Sequence, residues 1–507
     1  LIPNKTLTIG PNRGITIVGK NVIGNNNNTP VTISSPLTGD AESMLRITGG
    51  GIVYLTSASP DFKGKIVVKF NNSRVVLVDD AIALRDQCSA EDDKGKIDYG
   101  YSYAYVDADA PDGREPPYNT PERAAKTITQ AMSHLASGGK VYLKAGQTFN
   151  LANEDLNQWK PYSSIIGGGN LSTIIQPTSN NPLTLQNGQI CSNIVIRGSI
   201  ASGTAWPNGT VKIINGHLID SIVEQFTQNA IICTAGKMTG CIVRNSHQNP
   251  TVGNAIGGAV TLTANCTSFT LEQCVISNVV SAAIYGSGAI ATLWGGGTAR
   301  QSLYLDRCKI INCRGRSAVA RMGLNKQSNI YASNTLFAAN QSIDCGTSAA
   351  NSILITRGEF TNCTFADNIS SPGKFIFDAS NSNEAVNEQQ NAQMIKLVNT
   401  VISGNGDLAT YNASYGQITA KHSLFPEALT YSSDNIVGPA VYSGKKNAPY
   451  SLKLDTAGSR AGDPSIWTLS DLDITGEMRL FKRGALIAVD MGCYQFPALT
   501  GFMILVR

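Results

Sequence analysis

Two closely similar segments lie 34 residues apart near the middle of the chain. The first reads SFTLEQCVISN and the second SLYLDRCKIIN, with a cysteine at the equivalent positions Cys274 and Cys308. Within each half, apolar residues alternate with polar ones, which is typical of a strand with one buried face. The three-residue step from Leu271 to Cys274 breaks this alternation and indicates a bend. A unit that recurs at this spacing, and cannot bury its apolar face alone, predicts a solenoid.

The same register extends along much of the chain. We refer to the position of Cys274 as the anchor, and the residue two positions after each anchor is apolar. The anchors are Ser221, Cys241, Cys274, Cys308, Thr335, Cys363, Thr400 and Ser423. Their spacing varies from 20 to 37 residues, as expected when one face of a solenoid carries insertions. Asparagine follows six anchors by four or five residues and predicts repeated turns and an asparagine ladder, at Asn245, Asn278, Asn312, Asn340, Asn368 and Asn405.

The composition favours an all-β fold. Charged residues make up only 15% of the 507 residues and 49 are glycine, a balance that suits short strands and many turns. The formal net charge is +4, and no cluster of Lys and Arg is large enough to predict nucleic-acid binding. The chain has no apolar run of about 18 residues, so we expect no transmembrane helix. A first residue of Leu1 is compatible with a removed export signal.

Eleven cysteines cannot all pair within the chain. Four of them, Cys241, Cys274, Cys308 and Cys363, occupy anchors, where coils about 4.8 Å apart would bring neighbouring thiols within reach of a disulfide. Serine and threonine occupy the other anchors, and this interchange favours free, buried thiols that pack as small apolar groups. Reactive or metal-binding cysteines are the remaining interpretation.

Residues 1–98 carry short strand patterns and predict further β-solenoid or sandwich structure. The stretch GGGIVYLTSASPDFKGKIVVKF resembles the repeat of autotransporter passenger β-helices. Residues 99–150 then predict a leading segment with a short capping helix. In it, Thr120 is the expected N-cap, Pro121 the first helical residue, and Gly138 with Gly139 the stop, followed by a strand at 140–143.

Residues 105–151 resemble the leading segment of secreted bacterial right-handed parallel β-helix proteins, on the motifs YVD and VYLKAG. Residues 462–496 resemble the closing segment of the same proteins, on DITG, the arginine after it, and VDMGCY. These proteins include the "choice-of-anchor" kind found in Bacteroidetes. The resemblance implies a right-handed parallel β-helix with coils at 151–435 and a C-terminal closing segment at 436–507. It also implies a secreted or cell-surface location in the bacterial outer envelope, and it specifies no reaction.

Glu272 and Asp306 both lie two residues before an anchor on consecutive coils. If the register holds, their carboxylates lie about one strand spacing apart on the outer surface. Such a pair is suited to acid/base chemistry in a polysaccharide lyase or glycoside hydrolase, with Arg321 as a further catalytic candidate. The alternative is a solvated pair whose repulsion Arg307 relieves.

Other candidates point to ligands. Arg314 and Arg316 could neutralise the carboxylate of an acidic sugar, or they are surface charges flanking an inward strand. Trp206, Trp294 and Tyr285 lie in or beside glycine-rich segments, where they would stack on sugar rings or anchor loops.

The segment DADAPDG offers three carboxylates to a metal ion. Asp107, Asp109 and Asp112 could supply oxygens to Ca²⁺, although the loop lacks the other ligands of a full calcium motif. The alternative is a turn with Asx-type hydrogen bonds and no cofactor. The four histidines are scattered, so neither a Ser-His-Asp triad nor a zinc site emerges.

These patterns lead to three hypotheses on function. The first is an exported adhesin-like or glycan-binding protein without catalysis, whose partner is a polysaccharide or a host or cell-surface glycan. The second is a polysaccharide lyase or glycoside hydrolase on the outer face of the β-helix, and whether the chain is an enzyme stays open. The third is a structural subunit of an envelope assembly. A groove in which both carboxylates, an arginine and an aromatic ring converge would favour the enzyme, and a flat or loop-covered face would exclude it.

Overall fold

The computed structural model describes residues 7–24, 30–69, 73–92, 95–178, 180–198, 211–227, 229–248, 258–281, 287–292, 301–322, 329–343, 352–355, 357–371, 375–378, 395–406, 409–411, 418–429, 432–483 and 486–495. The chain divides into two compact units. Unit 1 comprises Leu1–Phe149, Asn153–Thr173 and Asn187–Ser192, and unit 2 comprises Asn150–Ala152, Ile174–Gln186 and Asn193–Arg507. Parallel strands stacked in ladders dominate both units, which confirms the predicted parallel β-helix.

Unit 1 is built on one ladder of eight described parallel strands. In order they are Leu7–Ile9, Val31–Ile33, Ile52–Leu55, Arg74–Val78, Lys96–Val106, Leu135–Leu143, Ser164–Gly167 and Ile190–Ser192. A second parallel ladder contains Lys20–Gly24, Met44–Thr48, Lys65–Val68 and Cys88–Ala90, and Ile15–Thr16 pairs with Leu37–Thr38. Register partners on successive strands, such as Val31, Val53 and Val75, are buried together in one continuous core. The described strands of residues 7–92 thus stack in parallel ladders around this core, as the strands of a solenoid do.

The predicted helix of the leading segment needs correction. A 3₁₀ turn occupies Pro121–Arg123, and the α-helix is the separate segment Ile128–Ser133. Thr120 makes no capping hydrogen bond, whereas Thr127 forms a capping box with Gln130. The strand Leu135–Leu143 runs through both glycines that were expected to stop a helix. Ladder strands precede and follow the helix, so within unit 1 it lies between successive coils.

The other helical segments that the structure describes are 3₁₀ helices. They are Asp79–Gln87, Leu151–Asn153, Leu156–Gln158 and Pro464–Ile466. A short strand, Thr148–Asn150, directly precedes the second of them.

Unit 2 stacks its strands in three sets of parallel ladders. The anchor ladder, which begins one residue after each anchor, contains Ile174–Gln176, Val195–Arg197, Ile222–Glu224, Ile242–Arg244, Val275–Ser277, Lys309–Ile311, Leu336–Ala338, Thr364–Ala366, Val401–Ser403, Leu424–Phe425 and Ile436–Val437. A short ladder contains His247–Gln248, Val280–Ser281, Arg314–Gly315, Gln341–Ile343 and Ile369–Ser371.

The third set begins with Leu183–Gln186, Val211–Ile219 and Ile231–Thr239 and then divides into two branches. The pre-anchor branch, which ends just before each anchor, contains Ser268–Glu272, Ser302–Asp306, Asn329–Ser333, Arg357–Thr361, Ile395–Val398, Ile418–Lys421 and Ser432–Ser433. The other branch contains Val260–Leu262, Ile290–Thr292, Ala320–Arg321, Ser352–Ile355, Phe375–Asp378 and Ala409–Tyr411.

A left-handed residue directly before each anchor produces the predicted bend. Gln273 and Arg307 have φ angles of 53°, and the equivalent Asn334 has 48°. This conformation turns the chain between the pre-anchor branch and the anchor ladder. Asparagine adopts it at least cost among residues with a side chain, which explains its recurrence before later anchors.

The anchor cysteines are buried and free. Cys241, Cys274, Cys308 and Cys363 are each at most 1% exposed, and none forms a disulfide. The Cys308 thiol donates to the Leu271 carbonyl on the preceding coil at 3.3 Å. The interpretation of the column as packed thiols is confirmed.

The asparagine ladder exists in two forms. Asn278 donates from Nδ2 to Asn245 Oδ1 at 3.4 Å, on exposed left-handed residues four positions after the anchor. Later in the chain the asparagine lies five positions after the anchor and is buried. There Asn340 Nδ2 donates to Asn368 Oδ1 at 3.0 Å, and Asn368 Nδ2 donates to Asn405 Oδ1 at 2.8 Å. The buried amides of Asn340 and Asn368 are thus each paired with the next coil.

The C-terminal part of unit 2 packs on the outside of the anchor ladder. Cys493 and Tyr494 contact the outward residues Leu336 and Ala366. Asn362 Nδ2 donates to the Asp490 carbonyl at 2.9 Å and so joins this segment to the bend before Cys363. The only described antiparallel strands, Phe481–Arg483 and Leu486–Ala488, lie here.

Candidate functional site

Glu272 and Asp306 lie side by side, as predicted. They are register partners at the ends of adjacent strands in the pre-anchor branch. Apolar residues of these strands, such as Leu271 and Leu305, point inward, so the acidic pair lies on the outer face. We call this surface the carboxylate face and define it by Glu272, Asp306, Arg307, Tyr304 and Tyr331.

Arg307 holds the two carboxylates together. Its Nε donates to Asp306 Oδ2 at 2.8 Å, and its Nη2 lies 3.0 Å from Glu272 Oε1. The arginine is also the left-handed residue before the anchor Cys308, so the bend itself places the guanidinium beside both acids. A cation between like charges offsets their electrostatic repulsion. The contacts of Arg307 agree with the solvated-pair alternative, and the acid/base alternative stays a prediction.

Further polar contacts complete the network. The Lys237 ammonium lies 3.2 Å from Glu272 Oε2, and the Ser333 hydroxyl donates to Asp306 Oδ1 at 2.7 Å. All four carboxylate oxygens of the pair therefore have a partner. His217 is the register partner of Lys237 on the preceding coil. Its ring nitrogen Nε2 lies 3.0 Å from the Thr239 hydroxyl, at hydrogen-bond distance. Burial lowers the pKa of His217, Lys237 lowers it further, and Glu272 acts in the opposite direction.

Two tyrosines adjoin the acidic pair. Tyr304 and Tyr331 are register partners two residues before Asp306 and Ser333, and residues two apart on a strand share a face. Their rings stack with centroids 5.2 Å apart and an interplanar angle of 16°, and Tyr304 is 43% exposed. Sequence reasoning missed this pair. The available signal was an aromatic residue four positions before two successive anchors.

The arginines chosen from the sequence lie elsewhere. Arg321 belongs to the other branch of the third strand set, and Arg314 is exposed on the short ladder. Arg316 is 5% exposed, and this burial removes it from a surface sugar site. Among the described contacts, Arg307 is the guanidinium that reaches both carboxylates. Trp206, Tyr285 and Trp294 lie outside the described residues.

The three aspartates of the predicted calcium loop are tied to neighbouring side chains, and Gln147 Nε2 donates to both Asp107 and Asp109, at 2.6 and 2.9 Å. Lys144 and Gln147 donate to Asp107 at 2.7 and 2.6 Å, and Lys126 pairs with Asp112 at 2.7 Å. Burial alone would raise the pKa of Asp107, but these hydrogen bonds outweigh it and lower the pKa. The Asp109 backbone N–H donates to Asp107 Oδ1 at 3.0 Å, which is the predicted Asx turn.

Within the described part of the chain, no three His, Cys, Asp or Glu side chains are grouped so that they can hold a metal ion. Among the helices that the structure describes, none is both long and apolar enough to cross a membrane. Comparison with known proteins gives no matching family model and no significantly similar curated protein.

Proposed function

We propose that this chain is an exported, secreted or cell-surface β-helix protein that binds a glycan on its carboxylate face without cleaving it. The observation that carries the proposal is a stacked tyrosine pair, with Tyr304 exposed and Tyr331 half-buried, beside a fixed network of charged groups. Export is supported by the resemblance of residues 105–151 and 462–496 to segments of secreted β-helix proteins.

The chemistry of the face suits a sugar. The apolar C–H faces of a pyranose pack on aromatic rings, and tyrosine adds a hydroxyl that exchanges hydrogen bonds with sugar hydroxyls. Carboxylate and guanidinium groups provide further acceptors and donors. Because Arg307 already fixes Glu272 and Asp306, binding orders few side chains, and this lowers its entropic cost.

The same network argues against acid/base catalysis. A general acid or base must exchange a proton with substrate from a positioned and available group. Here Glu272 interacts with Lys237 and Arg307, and Asp306 interacts with Arg307 and Ser333. Each of the four carboxylate oxygens is therefore already engaged by a neighbouring side chain. The lyase or hydrolase hypothesis is kept as an outcome of the experiment below.

Binding to a panel of acidic and neutral polysaccharides tests the proposal. Tyr304→Ala and Tyr331→Ala are each expected to weaken binding by about tenfold, since an aromatic ring contributes roughly 1–2 kcal/mol when it is covered. Tyr304→Phe and Tyr331→Phe keep the ring and are the matched controls, expected to retain most of the affinity. Thermal unfolding of each variant separates lost binding from lost fold.

Reducing ends and unsaturated products are measured in the same incubations. Binding without product supports the proposal. Product formation that Glu272→Gln abolishes would replace it with the enzyme hypothesis, and unchanged binding by both alanine variants would exclude this face. Protease treatment of intact cells tests export, with digestion of the chain as the expected result.

A further inference from the structure

A second aromatic surface lies in unit 1. Its outward residues are Tyr103 and Tyr105 on the strand Lys96–Val106, and Lys140 and Tyr142 on the next strand of the ladder. The intervening Ala104, Val106 and Val141 are buried in the core, so the four side chains share the solvent face. We call this surface the tyrosine face.

The three tyrosines form one platform. Tyr105 and Tyr142 are register partners whose rings stack with centroids 5.4 Å apart and an interplanar angle of 26°. Tyr103 meets Tyr105 edge-on, with centroids 6.1 Å apart and an angle of 82°. Tyr103 is 41% exposed although it is a large ring. The platform is therefore ordered by ring contacts before any ligand arrives.

Lys140 places a positive charge within this platform. It is exposed, and its register partners are Tyr103 on one side and Ser164 on the other. No acidic residue forms an ion pair with Lys140 among the described residues. Lys144, which follows on the same strand face, instead pairs with Asp107 at 2.7 Å. The charged groups of the carboxylate face are paired with one another. Lys140 of the tyrosine face, by contrast, has no acidic partner among the described residues.

We infer that the tyrosine face binds an acidic sugar residue, a uronate, with its ring on the tyrosines and its carboxylate at Lys140. The inference adds a charge-selective site to the glycan binding proposed above, and its geometry does not depend on the carboxylate face. Charge complementarity carries it, because Lys140, which has no acidic partner among the described residues, is the register partner of Tyr103 in a platform of rings that suits a sugar.

Titration with trigalacturonate and with its methyl ester tests this site by calorimetry. The wild-type protein is expected to prefer the acid by about five- to tenfold at low salt, and the preference shrinks as salt screens the charge. Lys140→Gln should remove the preference, and Lys140→Arg should keep it. Tyr103→Ala should weaken both ligands.

Lys65→Gln is the matched control, since Lys65 is an exposed strand lysine of the same unit on the second ladder. It should retain the preference, and the substituted lysines are exposed, so the unfolding midpoints of the lysine variants should stay unchanged. An equal affinity of the wild type for acid and ester, or a preference that survives in Lys140→Gln, would overturn the inference.

The Tyr304→Ala, Tyr331→Ala double variant separates the two proposals. If it keeps the preference for trigalacturonate, the acidic sugar binds at the tyrosine face. If the double variant loses the preference, the acid binds at the carboxylate face, and the inference drawn here fails while the proposed function stands.

Discussion

Buried charge is compensated across coils, as Glu224 shows. The residue is only 4% exposed. Arg197 Nη2 on the preceding coil lies 2.9 Å from one of its oxygens, and Arg244 Nη2 on the next coil lies 2.9 Å from the other. Burial by itself raises the pKa of Glu224, but hydrogen bonds from the two arginines outweigh it and lower the pKa. No local motif announces this triad, because only the ladder register brings the three residues together.

Glu224→Gln is expected to reduce the free energy of unfolding at pH 7 by about 2 kcal/mol or more. The folded-state pKa is lowered, so as pH falls the unfolded state takes up the proton first. The stabilisation is therefore complete above about pH 4.5 and is lost as pH falls through the folded pKa. Urea unfolding of both proteins across pH 7 to 3 measures this.

Glu359→Gln provides the comparison for that experiment. The Glu359 side chain is 52% exposed and lies 3.6 Å from Lys396, a geometry from which we expect little change in stability. A Glu224→Gln penalty that stays constant over the whole pH range would refute the assignment of the effect to the carboxylate charge.

Some secondary-structure elements can be predicted from the sequence alone, and others cannot. Ladder strands follow from period-two alternation, and the anchor register follows from the repeat of Cys274 and Cys308. The helix boundaries do not follow from local signals. Ala125 forms a parallel bridge with Val106, and its N–H donates to the Tyr105 carbonyl at 2.8 Å. This tertiary pairing keeps the backbone extended where Thr120 and Pro121 predicted a continuous helix.

Thr127→Ala and Thr120→Ala are a matched pair that tests the observed helix start. Thr127 Oγ1 accepts a hydrogen bond from the Gln130 N–H at 3.1 Å, so its loss is expected to cost about 1 kcal/mol of unfolding free energy. Thr120 caps nothing and should cost much less. Equal losses in chemical denaturation, or a larger loss for Thr120→Ala, would contradict this boundary.

The candidate site was predicted only in part for the same physical reason. Glu272, Asp306 and Arg307 lie within a few residues of the repeated anchors, so the repeat alone places them on one face. Lys237 reaches Glu272 from another coil, and the stacking of Tyr304 on Tyr331 depends on the register of two coils. The repeat predicts no position for residues in long insertions, such as Trp206 and Trp294.

At the scale of the whole molecule, the β-helix core encloses most of its thiols. Ten cysteines are free in the described residues, and nine of them are buried, with Cys88 partly exposed. Burial raises the pKa of Cys191, Cys313 and Cys493 to about 12, so these three side chains are almost entirely uncharged thiols at neutral pH. Because nine of the ten described thiols are buried, we expect them to react slowly while the protein stays folded.

Thiol counting with a chromogenic disulfide reagent tests this expectation. The native protein should react slowly, and the unfolded protein should release at least ten thiols without added reductant. Cys88→Ser should remove any rapid reaction contributed by Cys88. A count that rises by two or more when reductant is added would reveal a disulfide and refute the free column.

The left-handed residue before each anchor has a consequence for protein engineering. It sets the bend within a few residues, so neighbouring coils keep the same strand pairing whether their anchors are 20 residues apart, as at Ser221 and Cys241, or 37, as at Cys363 and Thr400. The number of residues between successive anchors can therefore change without changing the strand register between coils. Foreign peptides of very different size can therefore be displayed between coils without redesigning the scaffold that carries them.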